Sequence, residues 1–169
     1  SMNHSQDYSH STDRPKDYLA FHLGAEQYGI DLLRVQEIRS YDRPTRLVQM
    51  PEWVKSVIDL RGRIVPIVDL RIKLGFSEVV YNDFTVVIVL NIGNTMVGAV
   101  VDSVADVVAL ESGRVKPSPQ LESQSEHGTA FVEGIADVEG SMLILMDIVA
   151  LLGRNGLGAE PQEQVLETT

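Results

Sequence analysis

The chain nearly repeats itself, and that limits its architecture more than any other feature. Shifted by 78 residues, "SVIDLRGRIVPIVDLRIKLG" (56–75) lies over "GIADVEGSMLILMDIVALLG" (134–153), with five of twenty positions identical: Asp59/Asp137, Gly62/Gly140, Asp69/Asp147, Leu74/Leu152 and Gly75/Gly153. A second pair aligns at a shift of 69, "YGIDLLRVQEI" (28–38) over "VGAVVDSVADV" (97–107), matching Gly29 with Gly98 and Val35 with Val104. Each half reads as strand, turn, strand, a short element, then turn, strand, Asp and helix. One such unit buries too little surface to be stable alone, so two units sharing a core are expected.

The runs between the turns point to an all-β chain with a few short helices. "YLAFHLG", "GRIVPIVDL", "FTVVIVLNIG", "TMVGAVVD" and "SMLILMDI" are short Val/Ile/Leu segments punctuated by Gly, Pro, Asn and Asp, the pattern of a sandwich or small barrels. "FTVVIVLNIGNTMVGAVV" is eighteen uncharged residues between two aspartates, long enough to suggest a membrane span. "NIGNT" in its middle is turn chemistry flanked by β-branched valines, so it reads as a buried hairpin. Leu32–Ile38, Pro51–Val57 and Ile148–Leu152 are the stretches with helical character. The expected organisation is a disordered tail over 1–16, a folded unit over 17–153 and a flexible tail over 154–169. "SMNHSQDYSHSTDRPKD" is polar throughout and does not read as a signal peptide.

The duplication separates positions that make the fold from positions free to do something else. Asp59 and Gly62 recur, which suits an Asx-bonded turn with a positive-φ glycine. Asp69 and Asp147 recur as caps of the element that follows. Arg61 does not recur, because its counterpart is Glu139, of opposite sign. A residue needed only for the turn would not be expected to reverse charge, so Arg61 is read as a surface recognition residue. Arg71, opposite Val149, either pairs locally with Asp69 or covers apolar surface with its stem.

Charge and composition narrow the function. The net charge is −10, unevenly spread: nine basic and five acidic residues from Arg34 to Lys73, but two basic and eleven acidic from Leu74 to Gly153. That distribution reads either as ordinary solvated surface or as two faces of opposite sign meeting different partners. A nucleic-acid-binding module of the same architecture needs a basic groove with exposed aromatics, which 6% aromatic residues and this charge argue against. The chain has no cysteine, and its four histidines lack metal-ligand spacing, so no metal and no cofactor is expected. "GNTMVGAV" lacks the Lys-Ser/Thr of a phosphate loop, and "GRNGLG" follows a helix rather than a strand. Asp102 and Asp106 read as solvated carboxylates, and the chain is not expected to be an enzyme.

The run "YGIDLLRVQEIRSYDRPTRL…LRGRIVPIVDLRIKLG…YNDFTVVIVLNIGNTMVGAVVDSVADVV" resembles the bacterial chemotaxis coupling (adaptor) family CheW, over nearly all of residues 17–153. The resemblance implies two intertwined five-stranded SH3/OB-like β-barrels and a non-catalytic, cytoplasmic adaptor recruited to membrane-associated receptor arrays. The partners it implies are the regulatory domain of the histidine kinase CheA, the cytoplasmic tip of methyl-accepting chemoreceptors, and further copies of the family in rings, without nucleic acid or membrane insertion. Val35, Ser56, Arg61 and Val104 match positions associated with receptor binding. Glu37 and Ile38, with Thr45 nearby, match the main kinase interface, and Lys116 and Leu121 match a second, ring-closing contact. Val35, Ile38 and Val104 also read as ordinary core. The chain departs from the family pattern with Ser56 for glycine and Asp59 for asparagine, and with Lys116 and Leu121 where Arg and Phe are common. Lysine lacks the bidentate fork and leucine the buried area of those residues. The second contact falls in a loop that makes the Gly98–Asp137 interval 39 residues against 30 for Gly29–Asp59, read as an added function or a plain connector.

Overall fold

The computed structural model describes residues 14–42, 50–118 and 131–153. Eleven strands run through them: β1 Lys16–Leu23, β2 Glu26–Asp31, β3 Val35–Ser40, β4 Val54–Leu60, β5 Arg63–Asp69, β6 Val86–Ile92, β7 Thr95–Val101, β8 Ser103–Leu110, β9 Val115–Lys116, β10 Val132–Val138 and β11 Ser141–Met146. Two short helices follow the two aspartates of the repeat, α1 Leu70–Lys73 after Asp69 and α2 Ile148–Leu152 after Asp147. β1 opens at Lys16, the last residue of the expected N-terminal tail.

Each sheet takes strands from both halves of the chain. One has the order β8-β1-β2-β11-β10-β9, the other β3-β6-β7-β5-β4. The hairpin that opens one half pairs with the strands that close the other, which makes the two barrel-like units intertwined. Six strands rather than five form the first sheet because the two-residue β9 adds to β10.

The register repeats as the sequence does. β11 runs parallel to β2 with Leu145 opposite Gly29, and β5 runs parallel to β7 with Ile67 opposite Gly98, the same pair in each copy. Glycine permits close approach there, more critically at Gly98 than at Gly29. A Cβ at Gly98 would stand 2.5 Å from Ile67 Cδ1, and one at Gly29 would stand 3.1 Å from Leu145 Cδ2.

Alternation explains why the hairpin strands are apolar on both faces. In β6, Ile88, Leu90 and Ile92 join a core shared by both sheets, while Val87 and Val89 face the interior of the second sheet. In β1, Leu19, Phe21 and Leu23 enter the shared core, and Tyr18 and Ala20 enter the interior of the first sheet. Strands buried on both faces lose polar alternation and read as continuous apolar runs. The expected buried hairpin at Phe84–Val101 is therefore β6–β7, turning at Gly93 with φ 63°.

Two of the three helical expectations need correction. Leu32–Ile38 is helical only over Leu32–Arg34, a single 3-10 turn capped by the Asp31 carboxylate, and then becomes β3. Pro51–Val57 is not a helix, because Val54 starts β4 opposite Val68 of β5. The proline ends in a tight turn, with the Val54 N–H donating to Pro51 O at 2.9 Å, and ladder pairing of β-branched residues overrides the helix-start signal. Ile148–Leu152 is helical as expected.

Candidate functional site

The turns fixed by the repeat behave alike. Asp59 Oδ1 accepts the Gly62 N–H at 2.8 Å, and Asp137 Oδ1 accepts the Gly140 N–H at 2.9 Å. In each two-residue loop both residues have positive φ: Arg61 52° and Gly62 87°, Glu139 52° and Gly140 85°. That is the signature of the primed turn whose twist matches a hairpin. The backbone therefore sets Arg61 at the tip of β4–β5 and leaves its side chain 66% exposed.

The Arg61 guanidinium reaches across to β3, where Nη2 donates to Glu37 Oε1 at 3.0 Å. Arg39 Nη1 donates more distantly to Glu37 Oε2, at 3.4 Å. β3 and β4 are the two edge strands of their sheet, so this pair links the edges. Ile38, the next residue of β3, is 45% exposed and lies on the opposite face of the strand from Glu37, since it pairs with Ile88 of the shared core while Glu37 pairs with Val89. The structure thus brings together Arg61, matched to receptor binding, and Glu37, matched to kinase binding, and leaves Ile38 on the other face of β3. An edge strand with a charged pair on one face and an exposed apolar residue on the other is suited to strand-edge protein recognition.

Val35 and Val104 are half-buried and occupy equivalent places. Val35 pairs with Leu90 of β6 and Val104 with Phe21 of β1, and both pack on the shared core. Each precedes a bulge, at Gln36 in β3 and at Ala105 in β8, where one extra residue re-aims the strand. Ser56 is 2% exposed and lines a cleft between β3 and β4, and its buried hydroxyl has no hydrogen-bond partner among the described residues. Its side chain offers no surface to a partner, so any effect on binding would pass through its neighbours. Lys116 is exposed in β9, opposite Ile135 of β10. Thr45 and Leu121 lie outside the described residues.

The most tightly built polar cluster surrounds Arg71, which is 1% exposed. Its Nε and Nη2 donate to the two carboxylate oxygens of Asp69 at 2.9 Å each. Its Nη1 donates to Asp102 Oδ1 at 2.6 Å and to the Val80 carbonyl at 2.7 Å. The Tyr81 hydroxyl donates to Asp69 Oδ2 at 2.7 Å, and the guanidinium lies 4.9 Å from the Tyr81 ring centre. Burial opposes the charged form of Asp69, but hydrogen bonds from Arg71 and Tyr81 and the adjacent positive charge outweigh it and hold its carboxyl below the ordinary range. Burial likewise opposes the charge on Arg71, and its bonds to Asp69 and Asp102 reverse that and push its pKa up. The Tyr81 phenol is pushed up by burial and then by its bond to Asp69.

Of the two readings of Arg71, the structure shows the local pairing with Asp69. Asp102 departs from the expected solvated carboxylate: its side chain keeps 32% exposure but is bonded into this cluster, whereas Asp106 is exposed. The available signal lay in the broken repeat, since Arg71 stands opposite Val149 and Asp102 opposite Leu33. Among the described residues, no group of His, Asp or Glu side chains has the arrangement of a metal site. No helix among them is long and apolar enough to cross a membrane.

A family model described as the CheW-like domain matches residues 17–155. The chain is 47% identical over 137 residues to a chemotaxis protein CheW from Klebsiella aerogenes, covering 81% of each chain. It is 30% identical to one from Rhizobium meliloti, covering 82% of this chain and 88% of that one. Among solved structures, the scaffolding protein TtCheW from Thermoanaerobacter tengcongensis superposes with a TM-score of 0.74 at 31% identity, covering 84% of this chain and 95% of that one.

Proposed function

Because the chain belongs to the CheW-like domain family, we propose that it is a non-catalytic chemotaxis adaptor that couples methyl-accepting chemoreceptors to the histidine kinase CheA. The observation that carries the reading at the level of residues is the β3 edge strand, which holds the Glu37–Arg61 pair on one face and exposed Ile38 on the other. A strand at the end of its sheet among the described residues, carrying an exposed apolar residue and fixed charges, supports docking of a second folded domain rather than turnover of a small molecule. On this reading Glu37, Ile38 and Thr45 face the kinase regulatory domain, and Val35, Arg61 and Val104 face the receptor tip. Lys116 and Leu121 serve the second contact that closes rings, and the protein works in the cytoplasm at membrane-associated arrays.

The deciding experiment reconstitutes the full chain with CheA and a receptor cytoplasmic fragment and follows kinase autophosphorylation. Addition of the chain is expected to raise phosphorylation and make it depend on the receptor fragment. Phosphorylation that ignores the chain at saturating concentration would end the adaptor reading. Ile38→Ala is expected to weaken kinase binding by about tenfold, equivalent to 1.4 kcal/mol, with receptor affinity retained. A parallel fall of both affinities with stability would place Ile38 in the core instead.

A further inference from the structure

We propose that Arg71 and Asp102 are positioning residues: the buried guanidinium holds the passage from β7 to β8 and thereby fixes where Val104 is presented. The proposal rests on the reading of Val104 as a receptor-facing residue.

At Asp102 the chain leaves one sheet and enters the other. Three bonds hold this single residue between the two sheets. Oδ1 takes Arg71 Nη1 at 2.6 Å from α1, which follows β5. Oδ2 takes the Gly24 N–H at 2.6 Å from the β1–β2 turn. The Asp102 N–H donates to the His22 carbonyl at 3.1 Å. Ser103 Oγ then lies 3.1 Å from His22 Nδ1, and Val104 follows, opposite Phe21 and immediately before the β8 bulge.

Arg71 cannot shift to follow a displaced Asp102, because Asp69 grips the other side of its guanidinium through two oxygens. A planar fork held on both edges transmits position in a way a flexible ammonium would not. The Gly24 turn is confined as well, since a Cβ there would stand 2.8 Å from the Phe76 ring. Among the described residues, the equivalent passage from β2 to β3, which leads to Val35, has no such device. Asp31 caps the 3-10 turn, and its ion pair with Lys16 is a surface one at 3.4 Å. One of the two equivalent valines is held by a buried ion cluster and the other by local turn chemistry.

Stabilisation alone would also account for a buried cluster, so the test must separate the two roles. Asp102→Asn keeps the shape but sets an N–H against one of the two donors, Arg71 or Gly24. Tyr81→Phe removes a bond to Asp69 and leaves the Arg71–Asp102 link in place. With the full chain, Asp102→Asn is expected to weaken receptor-fragment binding at least tenfold while CheA binding stays within twofold. Tyr81→Phe is expected to lower the melting temperature with both affinities retained. Hydrogen–deuterium exchange should speed up around residues 22–24 and 102–106 in Asp102→Asn, leaving 35–38 unchanged.

Equal loss of both affinities, or exchange that rises evenly at 102–106 and at 35–38, would overturn the positioning role. If the unmodified chain binds no receptor fragment, the adaptor reading fails. The exchange pattern then still decides whether Arg71 and Asp102 fix the passage.

Discussion

The Asp69 and Asp147 corners start from the same backbone and end with different chemistry. The Asp69 N–H donates to Trp53 O at 2.6 Å, and the Asp147 N–H donates to Phe131 O at 2.6 Å, at positions 78 residues apart in both partners. Both carboxylates cap the helix that follows, Asp69 through the Arg71 N–H and Asp147 through the Ala150 N–H. At the first corner Arg71 and Tyr81 cover the carboxylate and no solvent reaches it. At the second, Val149 replaces the arginine and the carboxylate lines an open cleft of about 440 Å³ with Lys16, Asp31, Arg34 and Glu133. Duplication preserved the hydrogen bonds that make the corner and left the side chains around it free to diverge.

Removing each cap is the strongest way to break this comparison. Asp69→Ala would leave the Arg71 charge buried with only Asp102 as an ionic partner, and losing one member of a buried pair costs about 3–5 kcal/mol. Asp147→Ala removes a helix cap beside solvent, worth about 1 kcal/mol. Urea denaturation of the two variants measures both. Equal losses would mean that the buried cluster contributes no more than a cap.

The close-packed glycines give the next largest difference. At Gly98 an added methyl would meet Ile67 Cδ1 at 2.5 Å and Val87 Cγ1 at 2.8 Å, whereas at Gly29 its nearest neighbours are at 3.1 and 3.2 Å. Gly98→Ala is expected to cost about 2 kcal/mol from overpacking, and Gly29→Ala less than about 1 kcal/mol. Thermal unfolding separates them, and an equal cost would show that the second sheet opens as readily as the first.

Legibility in the sequence followed the same division. Gly29/Gly98, Asp59/Asp137, Gly62/Gly140 and Asp69/Asp147 could be read because each does local work: close strand approach, an Asx bond, a primed turn, a cap. Intertwining could not be read from the repeat alone, since the same strands could pair within each half. It follows here from the family resemblance and from which strands share a sheet. Pro51–Val57 misled because a proline before an apolar run marks a helix start only when no strand competes for Val54. In the candidate site, Arg61 and Ile38 are both exposed, and the link from Arg61 to Glu37 could not be read because it depends on two edge strands meeting. Asp102 escaped for the same reason, because a carboxylate at a strand junction looks solvated until its partner is known to be buried.

Acid titration sharpens the contrast between the corners. Asp69 has a folded-state pKa below its unfolded value, so its contribution is present above the ordinary carboxylate range and is lost as pH falls through the depressed value. Glu133, beside the second corner, is raised by burial, with Lys16 opposing and Asp147 and Asp31 adding to the rise. Its charge opposes folding above the raised value, and that penalty disappears as pH falls through it. Asp69→Asn is therefore expected to flatten the acid limb of the stability–pH curve, while Glu133→Gln steepens the net loss of stability on acidification. The same direction of change in both variants would remove the distinction.

The hairpin tips carry the smallest expected difference and test whether Arg61 serves the fold at all. Arg61 and Glu139 share φ 52°, a left-handed conformation that costs a non-glycine residue about 1–2 kcal/mol. Replacement by glycine relieves that cost but adds back about 0.5–1 kcal/mol of chain entropy. Glu139→Gly should therefore stabilise by about 0.5 kcal/mol. Arg61→Gly gains the same relief and loses the pair with Glu37, which at 66% arginine exposure is worth about 0–1 kcal/mol. Its net change should lie near zero. Repeating both substitutions in a Glu37→Gln background isolates the pair, since the gap between them should then close. If Arg61→Gly instead destabilises strongly in both backgrounds, the arginine supports the hairpin through something other than Glu37, and the sign reversal between Arg61 and Glu139 no longer marks a residue released from the fold.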